Sequence, residues 1–528
     1  MMRRRTLLGS SAATAMLPLM APRLSRAADA RVLRFVPQAN LSTLDPVWTT
    51  AAVTITHGYC VFDTLYGVDG RMQPQPQMAE GAETSADGLT WLIRLRDGLR
   101  FHDGEPVRAQ DCAASLARWS QRDTYGQTLG AAVEAFEAAD DRTIRIRLKR
   151  PFRRLLDAIG KPHSSPAFMM PERLAKTDPN KPVTEMVGSG PYRFLADEYV
   201  SGSRAVYARF EGYQPRQGAP DWTSGGKVAK LDRLEWIVMP DPATAAAALQ
   251  AGEIDWWEQV LPDLAPLLAR SRDITLQRQD PYGFISFARF NHLQPPFDNP
   301  ALRRAVLSAI RQQDYMRAIQ GDDTDTWKEC LAMFPCDLPE VTEGWSKAMP
   351  ADLEAARAAV KAAGYKGETV VILNPSDYPS ISPHGQLTAA LLRQLGMTVD
   401  LQEMDWGSVL QRRLSRAPVG QGGWSIYHTN WPSVSIANPA MNATIRGQGE
   451  KGWTGWYASP EMERLTGEWL DAATPEASQK LMDQIQQLAF TDVPSLPLGQ
   501  YFSRMAYRKS VSGVLQGSAA FFWNVQKA

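Results

Sequence analysis

Residues 87–116 read DGLTWLIRLRDGLRFHDGEPVRAQDCAASL, and the order of turn, strand, turn and helix in this stretch decides the fold class. Asp87-Gly88 is a turn dipeptide, and Leu89–Leu95 after it alternates with the two-residue period of a half-buried strand. Trp91, Ile93 and Leu95 share one face and are expected in a core. Asp103-Gly104 makes a second turn, and a helix begins near Ala109. His102 beside that turn is expected to fix the loop by hydrogen bonds rather than to do acid–base chemistry. Outward from here, residues 143–148 put Ile144, Ile146 and Leu148 on one face and Thr143, Arg145 and Arg147 on the other. Glu368–Leu373 and Met397–Gln402 give similar strand signals. Helices are marked by Pro in the first turn behind a capping residue. Asp241-Pro242 opens one that ends at Gly252, and Asn299-Pro300 opens one that runs to about Ala318. Ser459-Pro460 and Thr474-Pro475 open two more. Strands and helices alternate throughout with no internal repeat, so the class is α/β or α+β and not a bundle, sandwich or barrel.

The chain has 528 residues, 44% of them hydrophobic and 22% charged. These are the proportions of a folded soluble protein, and at roughly 100–200 residues per domain the length allows three or so structural units. Basic and acidic residues are equal at 57 each. Five of the basic ones, Arg3, Arg4, Arg5, Arg23 and Arg26, fall in residues 1–28, which hold no acid. The remainder is therefore acidic by five charges. Such a surface has no long-range pull on phosphate backbones or anionic lipid, so no nucleic-acid partner is expected. Residues 1–28 read as a signal peptide, with Arg3–Arg5, an apolar run from Leu7 to Met20, and Ala27, Ala28 and Ala30 for cleavage. The run falls short of the ~20 residues that span a bilayer. Arg4-Arg5 ahead of Thr6-Leu7-Leu8 looks like a twin-arginine signal, and a Sec signal with an extra Arg is the alternative. No Cys stands near the cleavage zone, so the product is expected free in a periplasm without a lipid anchor.

In an oxidising compartment Cys330 and Cys336 are a candidate disulfide closing a short loop. Cys60 and Cys112 sit in apolar helical contexts and are expected as buried thiols. There is no CxxC or HExxH, and none of the six His stands at ligand spacing to another, so neither a metal nor a cofactor is expected. A secreted serine hydrolase would need a G-x-S-x-G elbow, and none occurs. Gly188-Ser189-Gly190-Pro191-Tyr192 puts Pro where a helix would have to start, and reads as a tight turn before a strand, Tyr192–Leu195. No Ser-x-x-Lys stands with a following Lys-Thr-Gly, and nothing nominates a pair of carboxylates for a glycosidase. An enzyme is not expected.

Between residues 44 and 107 come Leu44-Asp45-Pro46, Val61-Phe62-Asp63-Thr64-Leu65, Asp87-Gly88-Leu89-Thr90-Trp91, Leu95-Arg96-Asp97-Gly98 and Phe101-His102-Asp103-Gly104-Glu105-Pro106-Val107. After Gly188-Ser189-Gly190 follow Leu249-Gln250-Ala251-Gly252-Glu253-Ile254-Asp255, Phe290-Asn291 with Pro295-Pro296-Phe297-Asp298, Arg303-Arg304-Ala305 and Ala362-Ala363-Gly364-Tyr365. In order and spacing this resembles family 5 of the bacterial ABC-importer solute-binding proteins, the dipeptide, oligopeptide and nickel-binding group. The resemblance implies an α/β clamp of two lobes that close on a ligand by hinge motion, with an extra subdomain inserted in lobe I. Lobe I would comprise 29–285 plus 490–528, with the insert at about 70–185, and lobe II would be 286–489. It also implies a monomer that catalyses no reaction and delivers a peptide or peptide-like solute to permease subunits in the inner membrane.

In peptide-binding relatives an Asp three residues after a Trp holds the ligand's α-amino group. Matching Trp431 to that Trp puts Val434 where the Asp should be, and no acid occurs between Asp405 and Glu450. A buried ammonium without a carboxylate is costly, so an oligosaccharide, an opine or an aromatic compound stands as the alternative to a peptide. No His follows Asn438-Pro439 directly, so a metal chelate has no support. The candidate ligand-binding residues are Tyr427, His428, Thr429, Asn430 and Trp431, joined by Trp453 and Trp456 from a Gly-rich loop. Tyr282 and Phe284 stand at the first crossover between lobes, Tyr501 at the second, and Thr50 and Ala52 before the helix that leads to Phe62. The tail adds Phe521, Phe522 and Trp523. Flat aromatic faces with a few amides and hydroxyls suit sugars and apolar or aromatic solutes.

Overall fold

The computed structural model describes residues 31–338, 341–342 and 344–528, and the expected signal segment 1–28 lies outside them. Three larger sheets organise the chain. In the first, of seven strands, Val32–Val36 runs parallel to both its neighbours, Arg233–Ile237 and Trp256–Val260. Tyr192–Phe194 and Arg204–Arg209 extend one side of it, and Arg504–Arg508 returns from the far end of the chain to lie between Trp256–Val260 and Ile274–Arg278. Phe35, Trp236, Trp256 and Phe522 pack ring to ring beneath, with Phe35 and Phe522 5.0 Å apart and nearly perpendicular. Phe521, Phe522 and Trp523 are at most 1% exposed. The tail aromatics are therefore core of this lobe and not cleft wall, where burial returns about 25 cal/mol per Å² of apolar surface.

The second sheet has the order Trp327–Lys328, Ser495–Tyr501, Phe284–Phe290, Ile426–Pro432, Val370–Pro375 and Val399–Met404. Phe284–Phe290 pairs antiparallel with both Ile426–Pro432 and Ser495–Tyr501, and all its residues are buried. Sheet membership thus differs from the expected lobe boundaries. Ser495–Tyr501, expected in lobe I, belongs to the second sheet, as does the start of Phe284–Phe290. A strand buried on both faces lacks the alternation that would tell which sheet it joins.

Within the expected insert, Ala79–Thr84, Thr90–Leu95, Thr143–Leu148 and Val133–Ala138 make a four-stranded antiparallel sheet. Ile144, Ile146 and Leu148 are buried on it, as the alternation requires, in a core shared with the helices Ala109–Arg122 and Thr124–Ala132. The helices Pro242–Ala251, Pro460–Asp471 and Pro475–Asp492 begin at Asp241, Ser459 and Thr474, each of which accepts a main-chain N–H from the first turn. The single helix expected after Asn299 is two, Pro300–Ser308 and Gln312–Gln320. They are separated where Gln312 turns its amide onto the Cys330 and Pro497 carbonyls.

His102 pins the Gly-Ser-Gly turn: its main-chain N–H bonds the Gly188 carbonyl at 2.9 Å and its Nε2 the Gly190 carbonyl at 3.0 Å. A Cβ on Gly188 would fall 2.1 Å from the Val61 carbonyl oxygen, so this turn is a close-packing device with Ser189 buried inside it. Cys330 and Cys336 are joined by a disulfide, and Cys60 and Cys112 are buried thiols. Among the described residues no helix is long and apolar enough to cross a membrane.

Two crossings, 279–283 and 502–503, connect the first and second sheets and run side by side, with Gln279 N donating to the Ser503 carbonyl at 2.8 Å. Gly283 lies at φ +65°, and a Cβ there would sit 2.4 Å from the Tyr501 carbonyl oxygen. Only glycine lets the crossings touch.

Candidate functional site

A cavity of about 1980 Å³ opens between the lobes. Trp48, Thr49 and Thr50 line it from one side, with Arg122 and Asp123 at the end of the helix Ala109–Arg122. Residues 410–414, Trp431 and the loop 450–454 line it from the other. Asp405 positions part of that second wall. Its carboxylate accepts from Ser408 N at 3.0 Å and starts the helix Trp406–Arg412, so Arg412, Arg413 and Arg416 emerge at the C-terminal end, where cations are favoured.

Strand alternation sorts the residues of Ile426–Pro432. Tyr427 and Trp431 face Trp453, with ring centroids 5.8 and 4.7 Å away. His428 and Asn430 point the opposite way, to Thr388 and Ser380. Of the expected ligand residues, Trp431, Trp453, Trp456 and Thr50 line the large cavity. Thr50, Ala52, Thr429, Asn430 and Trp431 line a side cavity of about 40 Å³ that shares Thr50, Leu410, Arg413 and Trp431 with it.

The remaining five line neither. His428 is fully buried with its Nε2 2.8 Å from Thr388 Oγ1, and burial holds its pKa well below the ordinary value. Tyr427 lies behind the wall, its hydroxyl 2.7 Å from Thr454 Oγ1. Phe284 and Tyr501 stack on each other at 5.3 Å. The Tyr282 hydroxyl donates to the Gly70 carbonyl at 3.2 Å, and its ring lies edge-on to Trp222.

Sequence reasoning missed Trp48, Arg122, Ser164, Ser165 and Arg413. Ser164 and Ser165 line the cavity with φ of +55° and +60°, consecutive left-handed residues that signal a tightly constrained loop. Their only sequence mark is the pair of prolines, Pro162 and Pro166, that brackets them. Lys161 ties this loop down by bonding Asp123 and, at 2.5 Å, the Ser164 carbonyl. Burial raises the Asp123 pKa, and Lys161 opposes that rise. His163 Nδ1 accepts from Ser164 N and lies 2.8 Å from Ser435 Oγ on the other lobe. Arg446 also crosses, donating to Thr128 Oγ1 at 2.9 Å.

The cavity's charge is uneven. Arg122, Arg412, Arg413, Arg416 and Lys451 line it against Asp123, Asp405 and Glu450. Each of the three acids has a partner: Lys161 for Asp123, the Ser408 N–H for Asp405, and Arg416 for Glu450 at 3.2 Å. Val434, matched above to an Asp, is fully buried beside Val68 and Trp222. Among the described residues no group of three or more His, Cys, Asp or Glu could hold a metal ion.

The sequence profile of the bacterial extracellular solute-binding proteins, family 5 middle region, matches residues 73–453. A probable peptide ABC transporter periplasmic-binding protein, y4tO of Sinorhizobium fredii, is 37% identical over 494 residues, covering 93% of this chain and 92% of that protein. Among solved structures, the fold is similar to AgaA of A. tumefaciens R10 in complex with agropinic acid (TM-score 0.78, 20% identity, 94% of this chain and 99% of that one). It is equally similar to DppA of Helicobacter pylori in complex with the peptide STSA (TM-score 0.78, 22% identity, 94% and 98%). The two-lobe architecture, the cleft between the lobes and the profile match over most of the chain agree: this protein belongs to the family 5 bacterial extracellular solute-binding proteins.

Proposed function

We propose that this protein is the exported solute-binding component of an ABC importer, taking up a peptide or peptide-like solute and presenting it to a membrane permease. The cleft carries the reading. At about 1980 Å³ it exceeds the several hundred Å³ of a typical small-molecule pocket, and both lobes contribute walls, so a bound solute favours the closed form. Identity of 37% with a protein named as a probable peptide transporter component supports a peptide. Residues 1–28 are read as its twin-arginine export signal, and the mature protein as a periplasmic monomer that catalyses no reaction.

A non-peptide solute is favoured by one observation. Val434 is buried in an apolar cluster, and of the acids lining the cavity Asp123 and Glu450 are already ion-paired, so a free α-ammonium is left only with Asp405, which caps the helix Trp406–Arg412. A thermal-shift comparison of the mature protein decides between them. A ligand at 100 times its Kd adds about 2.7 kcal/mol and raises the midpoint by a few degrees. A rise with di- to pentapeptides supports the peptide reading. A rise only with sugars, opines or aromatic acids replaces it, and turnover of the bound compound would overturn the carrier role.

A further inference from the structure

We infer that closing of the two lobes is coupled to protonation of two buried carboxyls, Asp280 in a crossing and Glu258 beside the lobe junction, so that solute is held more tightly in acid and released as pH rises. The solute is that of the importer reading above, on which this rests, whereas the lobe motion can be followed without it. Most buried acids in the molecule have a cation. Asp45 pairs with Arg118, Asp63 with Lys227, Asp69 with Arg71, Asp123 with Lys161 and Asp255 with Lys527. Glu258 and Asp280, 2% and 0% exposed, have none among the described residues. A buried carboxylate without a counter-charge is costly, so each takes up a proton where it is covered and loses it where water reaches it.

Both lie where the lobes join. Asp280 belongs to the crossing 279–283, the segment that hinge motion must reshape. Its Oδ1 accepts from Tyr282 N at 2.9 Å, and its Oδ2 is buried without a partner. Glu258 stands on the strand Trp256–Val260 of the first sheet and accepts Gln38 N at 2.8 Å. The Gln38 side chain in turn accepts from the Tyr378 hydroxyl of the other lobe at 3.4 Å, and both residues line the side cavity. Lobe separation breaks that contact and opens a way for water to Glu258.

The other charged groups nearby are engaged. Beside Asp280 stands Tyr282, with Asp69 and Asp337 beyond it, the first held by Arg71 and the second by Lys328 at 2.5 Å. Beside Glu258 stands Tyr378, with Asp377 next to it. The strands flanking Trp256–Val260 carry Arg34, paired with Glu235, Arg504, paired with Asp323, and Arg508, which donates to the Leu249 carbonyl. His163 lines the side cavity and is kept neutral by burial, so it favours opening in acid, but only below about pH 6.5, where a hydrated imidazole charges. Burial pushes Glu258 and Asp280 up to about 7 in the closed form. A hydrated carboxyl titrates near pH 4. Between these values the closed form keeps a proton that the open form releases, so closure takes up protons, and its advantage is lost as pH rises through 7.

The test compares the mature protein with Asp280→Asn, Glu258→Gln and the double variant, whose amides keep the shape and cannot ionise. Small-angle X-ray scattering without solute and calorimetry with a casein hydrolysate are run between about pH 6 and 8. The wild type should expand as pH rises, and its affinity should fall about tenfold for each coupled carboxyl. Each single variant should lose one such factor, and the double variant should show the same radius and affinity throughout. Melting curves separate lost coupling from lost folding, and where one single variant fails to fold the other decides. A wild type that changes in neither measurement, or a double variant that keeps the change, overturns the coupling. If no peptide binds, the peptide reading falls and scattering alone decides, with a radius independent of pH overturning the coupling.

Discussion

Trp431 and Trp453 meet with ring centroids 4.7 Å apart and planes inclined at 57°, one from the strand Ile426–Pro432 and one from the loop that faces it. Together they form an aromatic wall on the second lobe's side of the cleft. Trp431 is also tied to the core, with Phe287 perpendicular at 5.5 Å and the Cys330–Cys336 pair in the same cluster.

The two tryptophans therefore separate experimentally. Trp431→Ala should abolish ligand-induced closure, seen as compaction in X-ray scattering, and cost about 3–5 kcal/mol in urea denaturation while leaving the fold intact. Trp453 is less buried, so Trp453→Ala should weaken binding about tenfold with a smaller stability loss. Unchanged affinity in Trp431→Ala would mean that solute sits elsewhere.

The Gly-Ser-Gly turn yields an opposite pattern. Gly188→Ala drives a methyl into the Val61 carbonyl and should cost about 3 kcal/mol or more, read as a fall in the urea midpoint. His102→Ala removes the hydrogen bond to Gly190 and should cost about 1–2 kcal/mol. Ser189→Ala should change ligand affinity not at all. A binding defect in Ser189→Ala would contradict the packing role.

The fold was readable because its signals are local. Ile144, Ile146 and Leu148 alternate, and Asp241, Ser459 and Thr474 cap helices beside prolines, so each element follows from a few neighbouring residues. The cleft was only half readable. Trp431, Trp453, Trp456 and Thr50 are legible in the sequence, but Tyr427 and His428 come with them when adjacent strand residues are read as one patch. Alternation alone places His428 on the opposite face from Trp431. Arg413 was missed for a different reason. A cationic side chain beyond the end of a helix normally reads as a solvated surface, and only the long-range packing of Tyr427 and Trp453 around it turns it into a buried group.

Closure should depend on the contact between His163 and Ser435. Their 2.8 Å hydrogen bond joins the lobes, so its removal disfavours the closed form without touching either core. One such bond is worth about 1 kcal/mol. Ser435→Ala should therefore weaken apparent affinity about fivefold, by lowering the population of the closed form, with little change in the melting of the unliganded protein. A variant that binds as tightly as wild type would show that this contact does not persist in the liganded state.

Acid should destabilise the protein, and the sign follows from its histidines. His57 and His163 are held down to about 3, His102 and His384 to about 4, and His292 and His428 well below the usual value, with burial the first cause in each. Unfolded, each takes a proton near pH 6.5. Below that pH the unfolded chain binds more protons than the folded one, so this part of the stability is present above pH 6.5 and is lost as pH falls toward 4. Four carboxyls oppose it. Burial pushes Glu258 and Asp280 up to about 7 and also raises Asp111 and Asp123, so their contribution is present at low pH and lost as pH rises. Six imidazoles outweigh four carboxyls. Unfolding at pH 5.5 should take up about three protons, a slope of about 4 kcal/mol per pH unit in urea-derived stability. His163→Gln should reduce the uptake by about one proton, while a flat profile between pH 7 and 5 would mean that the imidazoles titrate within the folded protein.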